Sequence, residues 1–147
     1  MLLVVQKLIY RIFDWIMLRE EFVGGSRVNV RKVGEGKKLN VFEEIKSEII
    51  FSGDRLMFLL VDMKPGQFVP EHRHPHEQMG ICLKGKAEFV SGGNKFLVEA
   101  GMFYWIKPNE PHSVKVMEES TFLDVFSPPR EDYLEKASLT KNIGKAS

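Results

Sequence analysis

The sequence is short of cysteine, of unbalanced charge and of long apolar runs. One cysteine among 147 residues, Cys82, cannot close an internal disulfide or build a thiolate zinc or iron–sulfur site, so the chain reads as intracellular. Lys+Arg 21 against Asp+Glu 20 leaves a formal charge of +1. That balance supplies no field to hold nucleic acid or an acidic membrane surface, and neither is expected as a partner. Residues 1–18 are rich in apolar side chains, but Lys7, Arg11 and Asp14 interrupt them. The stretch therefore lacks the roughly 18 uninterrupted apolar residues of a membrane span. It also lacks the basic start and small-residue cleavage site of a secretory signal, which makes cytoplasmic residence the expectation.

The chain does hold enough apolar material, 44% of residues, to bury the core of one compact domain. Lys7, Arg11 and Asp14 recur at helical spacing, so residues 1–18 read as an amphipathic helix whose apolar face must pack on something; a natural start at Met17 is the alternative. From Val41 onward the pattern changes to short β-branched and aromatic stretches punctuated by Gly, Pro and Asn. Strands are expected at 48–52, 55–63, 67–69, 78–83, 87–91, 95–99, 102–106, 113–117 and 121–126. Ser91-Gly92-Gly93-Asn94 marks a hairpin, since its residues tolerate positive φ. Pro128-Pro129 stops the last strand, and a short helix is expected over 130–138 before a polar tail. The organisation is thus a leading segment at 1–40, a β domain at 41–128 and a short C-terminal helix and tail at 129–147. Nothing alternates strand with helix, so the fold class is all-β, as a sandwich, jelly roll or barrel.

All four histidines fall between His72 and His112. His72 and His74 are two apart in or beside a strand and so project to one side. Gln78 opens the next strand, and His112 follows a separate segment marked by Gly101 and Pro111. Three imidazoles and one amide oxygen can hold a divalent transition metal at about 2.0–2.2 Å and leave positions open for water or substrate. His76, set off by Pro75, is expected beside this centre rather than in it.

These spacings resemble a known family. Gly66-x5-His72-x-His74-x3-Gln78-x6-Gly85 is similar to the first cupin motif, and Gly101-x6-Pro108-Asn-Glu-Pro-His112 to the second, over residues 56–126. The resemblance implies a cupin-type jelly-roll β-barrel, here with an extra N-terminal amphipathic helix and a C-terminal helix. It also implies one metal ion held by His72, His74, Gln78 and His112. Two positions depart from the motif: the usual glutamate ligand is Gln78, and the asparagine that often ends the second motif is Val116. The amide removes a negative charge from the ligand set, so the ion is a stronger Lewis acid. Ni, Zn, Mn, Fe and Co all suit such a site.

The segment Asp124-Val-Phe126-Ser-Pro-Pro-Arg130 further resembles the end of the pectin-degradation cupins that linearise unsaturated uronic acid monosaccharides. By that resemblance Asp124, Phe126 and Arg130 serve the reaction. Their chemistry agrees. Opening a 4,5-unsaturated uronate requires loss of the anomeric hydroxyl proton, ring C–O cleavage and protonation at C4. Asp124 can shuttle protons, Arg130 offers planar bidentate donors to a carboxylate, and Phe126 shapes the pocket. The expected partner is a carboxylated sugar, with a homodimer as the expected assembly. A metal-dependent dioxygenase of the same fold and a non-catalytic sugar- or metal-binding cupin are the alternatives; three histidines around an open iron site support the first.

Overall fold

A computed structural model of the chain describes residues 28–42 and 44–143, with side chains as far as Leu139 in the closing helix. The amphipathic helix expected at 1–18 and the end of the polar tail lie outside the described residues. The chain divides into two compact units, residues 1–30 and 31–147, and every strand and helix named below belongs to the second.

The strands are β1 (Lys37–Val41), β2 (Ile45–Ser52), β3 (Met57–Met63), β4 (Phe68–His72), β5 (Glu77–Lys84), β6 (Lys86–Ser91), β7 (Asn94–Glu99), β8 (Phe103–Ile106), β9 (His112–Val116) and β10 (Ser120–Ser127), followed by the helix α1 (Glu131–Ile143). They form two antiparallel sheets, a six-stranded one in the order β1-β2-β3-β10-β5-β8 and a four-stranded one in the order β4-β9-β6-β7. The mostly-β architecture and the C-terminal helix follow the sequence pattern. The closed barrel does not. Among the described residues no ladder joins the end strands of one sheet to those of the other, so the sheets are open. The chain crosses between sheets at residues that cannot continue a ladder: Gly85 (φ 89°) between β5 and β6, and Gly101 (φ 88°) between β7 and β8. Both are motif glycines. Gly85 has a second reason to lack a Cβ, which would run into the Glu119 carbonyl and Ser120.

β10 shows most directly how sequence selects structure. Its burial alternates strictly, with Ser120, Phe122, Asp124 and Phe126 turned inward, as the period of two requires. The β6–β7 hairpin turns at Gly92 and Gly93, both at positive φ, with Ser91 paired to Asn94. β4 runs through Pro70, further than its sequence suggests; as the end strand of the smaller sheet it has an edge that needs no amide there. β1 is not announced by its sequence at all. Only Leu39 and Val41 of Lys-Lys-Leu-Asn-Val face the core, too few to make a pattern. α1 packs through Tyr133 and Ala137, both buried.

A buried carboxylate anchors the segment leading into β1, which carries Val41 into the wall of the central cavity. Glu48 accepts hydrogen bonds from the amides of Gly34 and Gly36 and pairs with Lys38. Gly36 must lack a side chain, because a Cβ would meet the Ile49 carbonyl and Glu48. Burial alone would raise the Glu48 pKa, but Lys38 and the two amides outweigh it and hold the group below the ordinary carboxylate range. Glu48→Ala should therefore destabilise the fold by about 1–3 kcal/mol, since it removes the charged acceptor shared by the Gly34 and Gly36 amides and Lys38. A carboxylate whose pKa is lowered by folding adds stability above its unfolded pKa and loses it as pH falls through the folded value. Thermal unfolding should show a lower Tm for the variant at neutral pH and a gap that closes in acid. A gap independent of pH would remove the charged group from the explanation.

Candidate metal centre

The smaller sheet supplies two of the histidines as direct neighbours. His72 ends β4, His112 begins β9, and their Cα atoms are register partners; their ring centroids lie 4.3 Å apart. His74 sits just past the end of β4, with its ring edge-on to His112 at 5.2 Å. One ring nitrogen from each of His72, His74 and His112 lies within 4.8 Å of the others. His76 is outside this group; its ring stands 5.6 Å from that of His74, and its Nδ1 is sealed without a hydrogen-bond partner.

Each of the three rings is aimed by the backbone. Nδ1–H of His72 donates to the Pro70 carbonyl at 2.9 Å, that of His74 to His76 at 3.1 Å and that of His112 to Glu110 at 2.8 Å. Fixing the proton on Nδ1 leaves an Nε2 lone pair on every ring, the arrangement that prepares imidazole for a metal. Burial lowers the pKa of all three; His74, additionally repelled by Arg130 and by His112, is pushed down to about 4. The rings are neutral.

From the larger sheet comes Gln78, on β5. Its amide donates from Nε2 to Asp124 Oδ1 at 2.9 Å, which fixes the other end: Oε1 lies 3.1 Å from His74 Nε2. Two acceptors thus face one another. That contact is repulsive by itself and fits a cation held between them, since two ligands about 2.1 Å from an ion at right angles stand about 3.0 Å apart. On this test the residues fit a divalent ion. Three imidazoles and one amide oxygen would hold it. Glu77 next door is excluded by the period of two: it accepts a hydrogen bond from the Trp105 indole at 2.9 Å in exposed surroundings.

Asp124 and Phe126 line the same cavity as His72, Gln78 and His112, together with Arg130. Asp124 carries two hydrogen bonds on one oxygen: Gln78 Nε2 and the hydroxyl of Tyr104, at 2.6 Å, both donate to Oδ1. Burial drives the Asp124 pKa up to about 6, opposed by those two donors and by Arg130. Burial and the adjacent carboxylate hold the Tyr104 hydroxyl well above its ordinary range, so it remains a donor.

Arg130 is held differently from the sequence expectation. The edge suited to a bidentate carboxylate is already filled, with Nε and Nη2 donating to Asp132 at 2.9 and 2.7 Å. Its guanidinium stacks on Tyr133 at 4.1 Å and approaches Phe126 at 5.3 Å. What remains is Nη1, buried and without a partner.

The structure therefore brings His72, His74, Gln78, His112, Asp124, Phe126 and Arg130 together around one space. Sequence reasoning missed Tyr104, Asp132 and Tyr133. Asp132 had a readable signal, since it lies two residues beyond Arg130. Tyr104 had none along the chain; only the pairing of Gly80 with both Asp124 and Tyr104 exposes it.

The chain is similar to known proteins in both sequence and fold. Residues 59–126 match the family described as the cupin domain. The chain is 37% identical over 92 residues to the pectin degradation protein KdgF of Dickeya dadantii, covering 61% of this chain and 84% of that one. The solved structure of KdgF from a Halomonas species superposes with a TM-score of 0.66 at 25% identity, covering 71% of this chain and 99% of the other. An RmlC-like cupin from Shewanella frigidimarina superposes at 0.67 with 20% identity over 72% of this chain and 96% of its own. With the matched segment spanning both histidine motifs, and a relative matched over most of its length, the chain belongs to the cupin family and is a relative of the KdgF proteins.

Proposed function

We propose that this chain is a metal-dependent pectin-degradation cupin that converts 4,5-unsaturated uronate monosaccharides to their linear keto forms. The observation that carries the reading is the buried Arg130 Nη1, left without a partner in a cavity that also holds the Asp124 carboxylate. A buried donor is unfavourable without an acceptor, and a substrate carboxylate would supply one to Nη1, the part of the guanidinium that Asp132 leaves free. The likeness to the pectin degradation protein supports the same substrate class.

The reaction is an isomerisation. The anomeric hydroxyl loses its proton, and its O–H pair becomes the second bond of the C1 aldehyde. The bond from C1 to the ring oxygen breaks, and its pair passes to that oxygen as an enolate. C4 then takes a proton and C5 becomes a ketone. In this reading Asp124 accepts the first proton and returns one to C4, so no oxidant or reductant is needed. Arg130, hydrogen-bonded to Asp132 and with its guanidinium over the Tyr133 ring, anchors the substrate carboxylate through Nη1. Phe126 lines the same cavity, with the Arg130 guanidinium 5.3 Å from its ring centroid. A bound divalent ion supplies Lewis acidity toward negative charge that develops on substrate oxygen.

Three outcomes are expected. Incubation with unsaturated monouronate should bleach the ultraviolet absorbance of the C4–C5 double bond, and a chelator should stop it; an unchanged substrate spectrum with metal-loaded protein overturns the reading. Asp124→Asn should lower kcat by about 10²–10⁴-fold with little change in KM, while Arg130→Ala should act mainly by raising KM. Full activity in both variants would exclude the proton-transfer and anchoring roles. His72→Ala should lose bound metal by elemental analysis, and undiminished stoichiometry would remove His72 from the ligand set.

A further inference from the structure

Tyr104 is absent from every motif the sequence offers, yet it makes the shortest side-chain hydrogen bond to Asp124. Three neighbouring strands build this contact. Gly80 on β5 lies between Asp124 on β10 and Tyr104 on β8, and is the Cα register partner of both. A Cβ on Gly80 would collide with the Tyr104 ring. The missing side chain is the space through which the phenol crosses β5 to reach the carboxylate on the far strand. A wholly apolar ring would need that passage for packing alone, but this one ends in a hydroxyl placed 2.6 Å from Oδ1.

The consequence lies in how the two carboxylate oxygens are divided. The phenol and the Gln78 amide both donate to Oδ1, and one oxygen with two donors is saturated for further work. Oδ2 is left to the cavity that Asp124 lines. With either donor lost, the carboxylate can rotate about its last torsion and present the two oxygens without preference.

We propose that Tyr104 is a positioning residue that, through the gap at Gly80, holds Asp124 with Oδ2 alone presented to the substrate. This rests on the proposed ring-opening role of Asp124. Tyr104 itself does not touch the reacting atoms and donates no proton to them. By fixing Oδ1 it also holds the partner of Gln78, and hence the orientation of that amide.

The test compares Tyr104→Phe, which keeps the ring and its packing but removes the hydroxyl, with Gly80→Ala, which keeps the hydroxyl but blocks its path. Both variants are made in the full chain, loaded with zinc and tested for metal content, kinetics and the side-chain amide resonances of Gln78, which Gln78→Glu identifies by deletion. The expected result for each is a kcat lowered by about 10–100-fold with KM within about twofold. Metal content should match that of the parent, and the Gln78 amide signals should shift. Unshifted signals with parental kcat in Tyr104→Phe overturn the proposal. A shift without loss of kcat overturns it as well, because the carboxylate is then held for no catalytic purpose. A rise in KM together with loss of metal points to general disruption and also overturns it. The amide readout is independent of turnover: if the parent protein leaves unsaturated uronate untouched but the signals shift in both variants, the substrate reading fails while the positioning of Asp124 by Tyr104 stands.

Discussion

A carboxylate that faces the interior of a β-sandwich has to be hydrogen-bonded, and the arrangement around Asp124 follows from that requirement. The alternation of β10 turns Asp124 inward between Phe122 and Phe126. Its position in a central strand of the larger sheet means that donors must come from the neighbouring strands. β5 provides the Gln78 amide, and β8 provides Tyr104 by way of Gly80. The same requirement accounts for the amide at a ligand position where the family motif has a glutamate. An amide can accept on one side and donate on the other. A glutamate at position 78 would set a second carboxylate against Asp124, and two like charges at hydrogen-bond distance cannot both stay ionised. The departure from the motif at Gln78 and the presence of Asp124 are thus one choice rather than two.

The charges in the cavity point the same way. The three imidazoles are neutral and the amide carries no charge, so a divalent ion on the proposed ligands would keep both of its charges. Asp124 offsets one of them. Arg130 is already matched by Asp132, with which it shares two hydrogen bonds. On the proposed ligand set one positive charge would be left over in a largely apolar enclosure, and the proposed monoanionic uronate would complete the balance. The chain carries a formal charge of only +1, so under the proposed reading the attraction for an acidic sugar comes from charges inside the cavity rather than from the net charge.

The parts of this site that were legible in the sequence share one property: they depend on spacing within a single strand or motif. His72 and His74 are two residues apart, and so are Asp124 and Phe126. Period-two geometry was enough to place each pair on one side. The glycines at 85 and 101 were legible as motif positions, and the structure puts both, at positive φ, where the chain crosses between sheets. What stayed hidden depends on register between strands. Phe-Tyr-Trp-Ile in β8 reads as any short aromatic strand, and nothing along the chain says that its tyrosine lies opposite a glycine with an aspartate beyond. The barrel implied by the family resemblance is not closed among the described residues, and the strand periodicity had left sandwich, jelly roll and barrel open because it reports which face is buried but not whether the end strands pair. β1 stayed hidden because a strand of five residues with two inward side chains carries almost no pattern.

The site draws on both sheets, which are not joined by a backbone ladder among the described residues, so their spacing depends on side-chain packing. His72 and His112 ride on the smaller sheet, while Gln78 and Asp124 ride on the larger. Phe89 from the smaller sheet meets Tyr104 and Phe122 from the larger one, at centroid distances of 4.8 and 6.0 Å. The Tyr104 ring is therefore part of the spacer that sets how far the imidazoles stand from the amide, while its hydroxyl sets which way the carboxylate faces. A phenylalanine there would satisfy the first demand, and a smaller polar residue could at best satisfy the second. Only a tyrosine meets both from β8, and it can do so only because position 80 has no side chain.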